Sequence, residues 1–168
     1  MLSRIFPKQI DNNYRGHRLA IWLFALVVLL KATQGVESIV NTRSVVTTAD
    51  GISLDGFSAA GADVVVALFA LLGLYLLVIP LQSVVVLIRY RAMIPFMYLL
   101  LLIVYAGNRV VLLMHPIVRS ADTSMGFAGH PIGFYVNLAI LAMTLIGFVL
   151  SLGGNGYHPR QEAESIRT

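Results

Sequence analysis

The sequence has no cysteine, and that absence removes several chemistries at once. It excludes a disulfide framework, a thiolate metal site and a thiol nucleophile. Charge is also scarce. Only 12% of the 168 residues are Asp, Glu, Lys or Arg, about half the fraction usual in a soluble domain. What charge there is gathers at the N-terminus, at 89–91, in two connecting segments and in the C-terminal tail. Catalytic signatures are missing too: there is no G-x-S-x-G, no H-E-x-x-H and no Walker loop. His115 and His130 have no third ligand at metal spacing, and Asp50 and Asp55 fit no calcium loop. No metal and no cofactor is expected. The formal net charge of +4 and the pI of 9.7 could point to nucleic acid. No basic face carries interleaved aromatics, however, so no nucleic-acid partner is expected.

Hydrocarbon is what the chain has in abundance. Hydrophobic residues make up 58% of it, and the mean hydropathy is +0.82. Four apolar segments, about 19–40, 63–88, 93–114 and 131–152, are each near the ~20 residues that cross a bilayer as a helix. The first follows basic residues, as a signal peptide's apolar region does. The KATQGVES that comes after it lacks a small-x-small cleavage site, so an uncleaved helix is expected. The reading is a single all-α membrane domain, a four-transmembrane-helix bundle embedded in the lipid bilayer.

Orientation follows from the basic residues near the span ends. Arg4, Lys8, Arg15 and Arg18 precede the first span, Arg89 and Arg91 lie between the second and third, and Arg160 and Arg167 lie in the tail. The opposite side has only Arg43 and Arg119 outside the spans. Both termini are therefore expected to be cytoplasmic, an N-in/C-in topology. The absence of cysteine, the short loops and the compact length fit a bacterial inner membrane by association. Between the first two spans, SVVTTA is rich in β-formers, Asp50-Gly51 is a hairpin turn signal and ISL follows. A small external β-hairpin is expected there, with an irregular loop as the alternative.

Polar residues inside the spans carry the functional questions. Lys31, Gln34 and Ser38 share one face of the first span, with Glu37 beside them. The third span sets Tyr98, Tyr105, Asn108 and Arg109 on one broad stripe. Counted from the helix ends, Arg109, Glu37 and Asp63 lie at similar depths near the external side, with Lys31 deeper and His115 at the rim. One polar cluster is therefore expected: Lys31, Gln34, Glu37, Asp63, Asn108, Arg109 and His115. Within it Arg109 should pair with Glu37 or Asp63, because a lone guanidinium in hydrocarbon is costly. The cluster either fixes helix register or lines an outward-open cavity for an ion, headgroup or small solute.

Pro80 interrupts the second span's backbone bonding. It is either a tolerated kink, helped by Gln82 and Ser83, or a hinge. In the fourth span Asn137, Thr144 and Ser151 recur every seven residues with Gly147 near the same line. Such a stripe should face other helices, within the chain or in a partner or second copy. The leading expectation is a non-enzymatic membrane protein acting through helix–helix or external-loop contacts, as an accessory or scaffold subunit or a homo-oligomer. The alternative is a small transporter or ligand-binding protein using the polar cluster.

Overall fold

The structure is a computed structural model that describes residues 2–7, 9–115 and 131–153. It contains a short helix α1 (Leu2–Ile5), then α2 (Arg18–Val40), a single turn α3 (Thr42–Ser44), α4 (Ala59–Arg89), α5 (Ile94–Met114) and α6 (Ile132–Leu152). Four of these, α2, α4, α5 and α6, are long and apolar enough to cross a membrane, which is consistent with an integral membrane protein. Their starts follow the local chemistry. His17 Nδ1 accepts from the amide of Leu19 ahead of α2, and Ser58 Oγ accepts from Gly61 at 3.2 Å ahead of α4. Pro95 sits in the first turn of α5, where its missing N–H costs nothing.

The long helices pack antiparallel in the order α4, α2, α6, α5. On α2 and α4, Gly35 meets Leu77 while Ser38 meets Gly73. On α2 and α6, the amide of His17 reaches Leu150 O and Lys31 reaches Asn137. On α5 and α6, Tyr98 lies against Gly147 and Arg109 against Phe134. The core is concentrated toward the end that carries the N-terminus, where Phe24, Val27, Ile94, Tyr98 and Ile140 are fully or almost fully buried. Tyr98 crosses Gly147 to donate a 2.7 Å hydrogen bond to Ala20 O of α2, so one side chain ties three helices together. At the other end residues 106–111 of α5 are exposed, with the Arg109 guanidinium resting on Phe134 of α6.

The expected hairpin is not there: among the described residues there is no strand. After Asn41 the chain continues as α3 and then as a π-helical turn, Val45–Ala49. Two effects outweigh β propensity. The hydroxyls of Thr42, Thr47 and Thr48 bond back to carbonyls one turn earlier, which suits threonine in a helix. Val46 is buried with Leu54 and Ala62 against the first turns of α4, and burial decides what a β-branched residue does. Asp50-Gly51 does turn the chain, but Gly51, at φ 69°, ends a helix instead of joining strands. Some of α4 serves this packing. At 31 residues and 1.5 Å per residue it is about 46 Å long, more than the ~30 Å hydrocarbon layer.

Helix α4 runs unbroken through Pro80, which is buried. Ser83 does not reach the carbonyl that proline leaves free; it donates to Ile79 O at 2.8 Å. Gln82 is exposed. A tolerated kink and a hinge differ in what removal of the proline does. For a tolerated kink, Pro80→Ala is expected to change stability in detergent by no more than about 1–2 kcal/mol, the restored backbone bond offsetting the repacking. Chemical unfolding of the two proteins measures this.

Residues 2–17 fold across the end of the bundle. Arg4 donates to Leu152 O at the last turn of α6, Ala92 donates to Asp11 O at 3.3 Å, and the rings of Phe6 and Phe96 meet at 5.5 Å. Beneath this segment lies a cavity of ≈ 20 Å³ lined by Tyr14, Gly16, Pro95 and Ser151. The Tyr14 hydroxyl is buried there without a partner among the described residues. Burial pushes its pKa up to about 12 from an ordinary 10.0, because the phenolate is the form that loses solvation. The folded chain keeps Tyr14 neutral where the unfolded chain ionises it. Its contribution to stability is thus complete below about pH 10 and is lost as the pH rises through about 12. Alkaline unfolding curves of the wild type and Tyr14→Phe are expected to diverge in that window, with Tyr14→Phe the flatter.

Candidate functional site

The seven residues expected to cluster do not form one group. Lys31 and Gln34 come together, one turn apart on α2, and Lys31 Nζ donates to Gln34 Oε1 at 2.8 Å. The same ammonium donates across to Asn137 Oδ1 of α6 at 3.2 Å. It also stands 4.6 Å from the ring centroid of Tyr105 on α5, within cation–π range. Three helices thus converge on one lysine. Asn137 is held in place by a second bond, from its Nδ2 to Gly133 O at 2.9 Å. A lysine has only donors to offer, so both amides must turn their oxygens toward it.

The other members of the expected cluster lie apart. Glu37 is exposed and accepts from Asn41 Nδ2 at 2.7 Å. Asp63, Asn108 and His115 are exposed. Arg109 does not pair with Glu37 or Asp63. Its guanidinium lies over the ring of Phe134 on α6, 5.0 Å from the centroid. Among the described residues the one ion pair is Arg15–Asp11 at 3.6 Å, on the surface at the N-terminal end. The depth count behind the expected pairing gives height along a helix but not rotation about it. Arg109 turns toward α6, and α6 offers an aromatic ring at that level.

The stripe on α6 also turns inward. Thr144 and Ser151 are fully or almost fully buried and donate to Ile140 O and Phe148 O of their own helix. Gly147 is covered by the Tyr98 ring. Thr144, Gly147 and Ser151 are therefore spent within the fold, and Asn137 is committed to Lys31. Tyr98 and Tyr105 likewise face inward, while Asn108 on the same helix is exposed and Arg109, also exposed, reaches the Phe134 ring.

The site that results is Lys31, Gln34, Tyr105 and Asn137, with Arg109 and Phe134 about one helical turn nearer the end opposite the N-terminus. Lys31 is half-buried, whereas Tyr105 is only 8% exposed and its hydroxyl has no partner among the described residues. Sequence reasoning put Asn137 on a separate stripe and missed Phe134. One signal for the first was available. Lys31 lies about 14 Å from the end of α2 and Asn137 about 8 Å from the start of α6 at 1.5 Å per residue, a gap that a lysine stem closes.

Among the described residues no three His, Asp or Glu side chains are grouped as metal ligands. No protein-family model matches the chain, and no curated protein and no solved structure is significantly similar to it.

Proposed function

We propose that this chain is a non-enzymatic integral membrane protein that binds a small solute at the Lys31 site, open toward the external face, in the manner of a small transporter or ligand-binding membrane protein. Both termini are cytoplasmic, and the membrane is a bacterial inner membrane. The observation that carries the reading is Lys31. Its ammonium stands about 14 Å inside its helix end, between α2, α5 and α6, and its protein partners are two neutral amides and an aromatic ring. A cationic side chain at that depth is costly. A register-fixing role would favour a carboxylate partner, and none lies within 4.0 Å among the described residues. The topology rests on the basic residues at the span ends.

A second reading is favoured by a different observation. Residues 106–111 of α5 are exposed and include Gly107, Asn108 and Arg109. A polar face within a span suits another helix, as an accessory or scaffold subunit or a second copy would supply. Recovery of a stoichiometric partner or of a homo-oligomer in mild detergent supports this role.

Because the chain has no cysteine, single cysteines test the first reading in an otherwise unaltered background. Asp55→Cys and Asn137→Cys are expected to react with an impermeant maleimide in intact cells, and Asn12→Cys only after permeabilisation. An Asn137→Cys that stays unreactive in both conditions means the site is closed, and the binding role fails.

A further inference from the structure

The hydrogen-bonding inventory of the Lys31 site is one-sided. An ammonium has three N–H donors, and two of them are taken by Gln34 Oε1 and Asn137 Oδ1. The third makes no bond to the protein among the described residues. The Gln34 amide nitrogen, with two N–H donors, makes none either. The Tyr105 hydroxyl is buried without a partner among the described residues. The nearest amide oxygens already face Lys31, and Asn137 Nδ2 is tied to Gly133 O. What remains uncommitted among the described residues is the third ammonium N–H, the Gln34 N–H donors and one hydroxyl that can donate or accept, beside a positive charge on two helices.

Charge points the same way. Lys31 and Arg109 are two cations on one side of the bundle, each resting on an aromatic ring, at 4.6 Å and 5.0 Å. Glu37 and Asp63, the carboxylates of the same half with described side chains on the spanning helices, are exposed and reach neither of them. Unsatisfied buried donors and an unpaired buried charge are both expensive. A ligand that accepts several hydrogen bonds and carries negative charge removes both costs together.

We infer that the site between α2, α5 and α6 takes a small oxyanion, of carboxylate or phosphate type, with Lys31 supplying the charge and Tyr105 and Gln34 supplying hydrogen bonds. Arg109, about one turn nearer the outside, draws the anion in. The oxyanion is a free solute or the phosphate of a lipid headgroup, since both present the same acceptor atoms. This inference rests on the binding role proposed above and specifies its ligand.

The test uses the full chain in lipid nanodiscs with Asn137→Cys, a change that keeps Lys31, Gln34 and Tyr105, removes the Asn137 bonds to Lys31 and Gly133 O, and serves as the common background for every comparison. Its labelling rate is measured with an anionic and with a cationic methanethiosulfonate of similar size. A cleft lined by one sign of charge raises the local concentration of the opposite ion by about tenfold or more, so the anionic reagent should react about tenfold faster. Adding Lys31→Gln should bring the ratio close to one, while Lys31→Arg should preserve it. Adding Arg109→Gln should lower it by an amount that shrinks at high salt. Sodium acetate or sodium phosphate at constant ionic strength should slow labelling in the Lys31 protein and not in Lys31→Gln. Equal or cation-favoured rates, or protection that survives Lys31→Gln, overturn the inference and leave the binding role standing. No reaction with either reagent fails the binding role itself, and the inference with it. Faster anionic labelling in discs of phosphate-free glycolipid than in discs of phosphatidylcholine identifies a headgroup as occupant; equal anionic preference in both identifies a free solute. Either supports the oxyanion site.

Discussion

Replacing Tyr98 with alanine is expected to destabilise the protein by about 3–5 kcal/mol, the range for removing a large aromatic ring from a packed core. No part of Tyr98 is exposed. Its ring lies edge-on to Phe24 at 5.0 Å, covers Gly147, and carries its hydroxyl to Ala20 O. The side chain therefore touches α2 and α6 from α5, and a cavity there weakens two interfaces at once. In lipid, where helix association depends on packing more than on the hydrophobic effect, lost contacts are not recovered elsewhere. Tyr98→Phe separates the two contributions. It keeps the ring and removes one hydrogen bond, so it should cost only about 1 kcal/mol. Equilibrium unfolding of the three proteins in the same detergent gives both values. Equal losses for the two variants would mean that the hydrogen bond, not the ring, holds the helices.

Gly73→Leu is expected to cost about 3 kcal/mol or more by overpacking. A Cβ at Gly73 would stand 2.8 Å from Ser38 Cβ and 3.1 Å from the backbone oxygen of Gly35. Backbone cannot swing aside as a long side chain can, so α2 and α4 must separate. Gly107 is the control on a neighbouring helix, since nothing lies within 4 Å of a Cβ built there. Gly107→Leu should be tolerated within about 0.5 kcal/mol, as for surface positions. Thermal stability of the two variants decides the comparison, and a smaller loss for Gly73→Leu than for Gly107→Leu removes the close α2–α4 crossing from the account.

The helices were legible in the sequence because their signal is long and additive. Each expected span differs from its helix by four residues or fewer at either end, since some twenty apolar residues outvote any local preference. The segment after Asn41 was not legible for the converse reason. Five residues with β-formers weigh little against the burial of Val46 on α4, and that burial depends on where α4 lies. The candidate site was legible in halves. Lys31 and Gln34 share a face by spacing alone, and Asn137 stood out as polar within its span. Joining them requires knowing that α2 adjoins α6, and helix adjacency leaves no trace in a single span. The same gap explains Arg109. Glu37 and Asp63 match its depth, but they belong to helices that it does not face.

The central claim is that Lys31 stands in an outward-open polar site and not in a dry core. The chain has two lysines, Lys8 and Lys31, so Lys8→Arg leaves Lys31 as the one lysine ammonium, in a peptide separate from the α-amino group. Reductive methylation of that variant in nanodiscs, with the modified peptide located by mass spectrometry, reads the access of water-borne reagent to Lys31 directly. The account predicts methylation of Lys31 in the folded protein, slowed by Arg109→Gln less than twofold because the reagent is neutral. Lys31 that remains unmodified until the protein is denatured would contradict it.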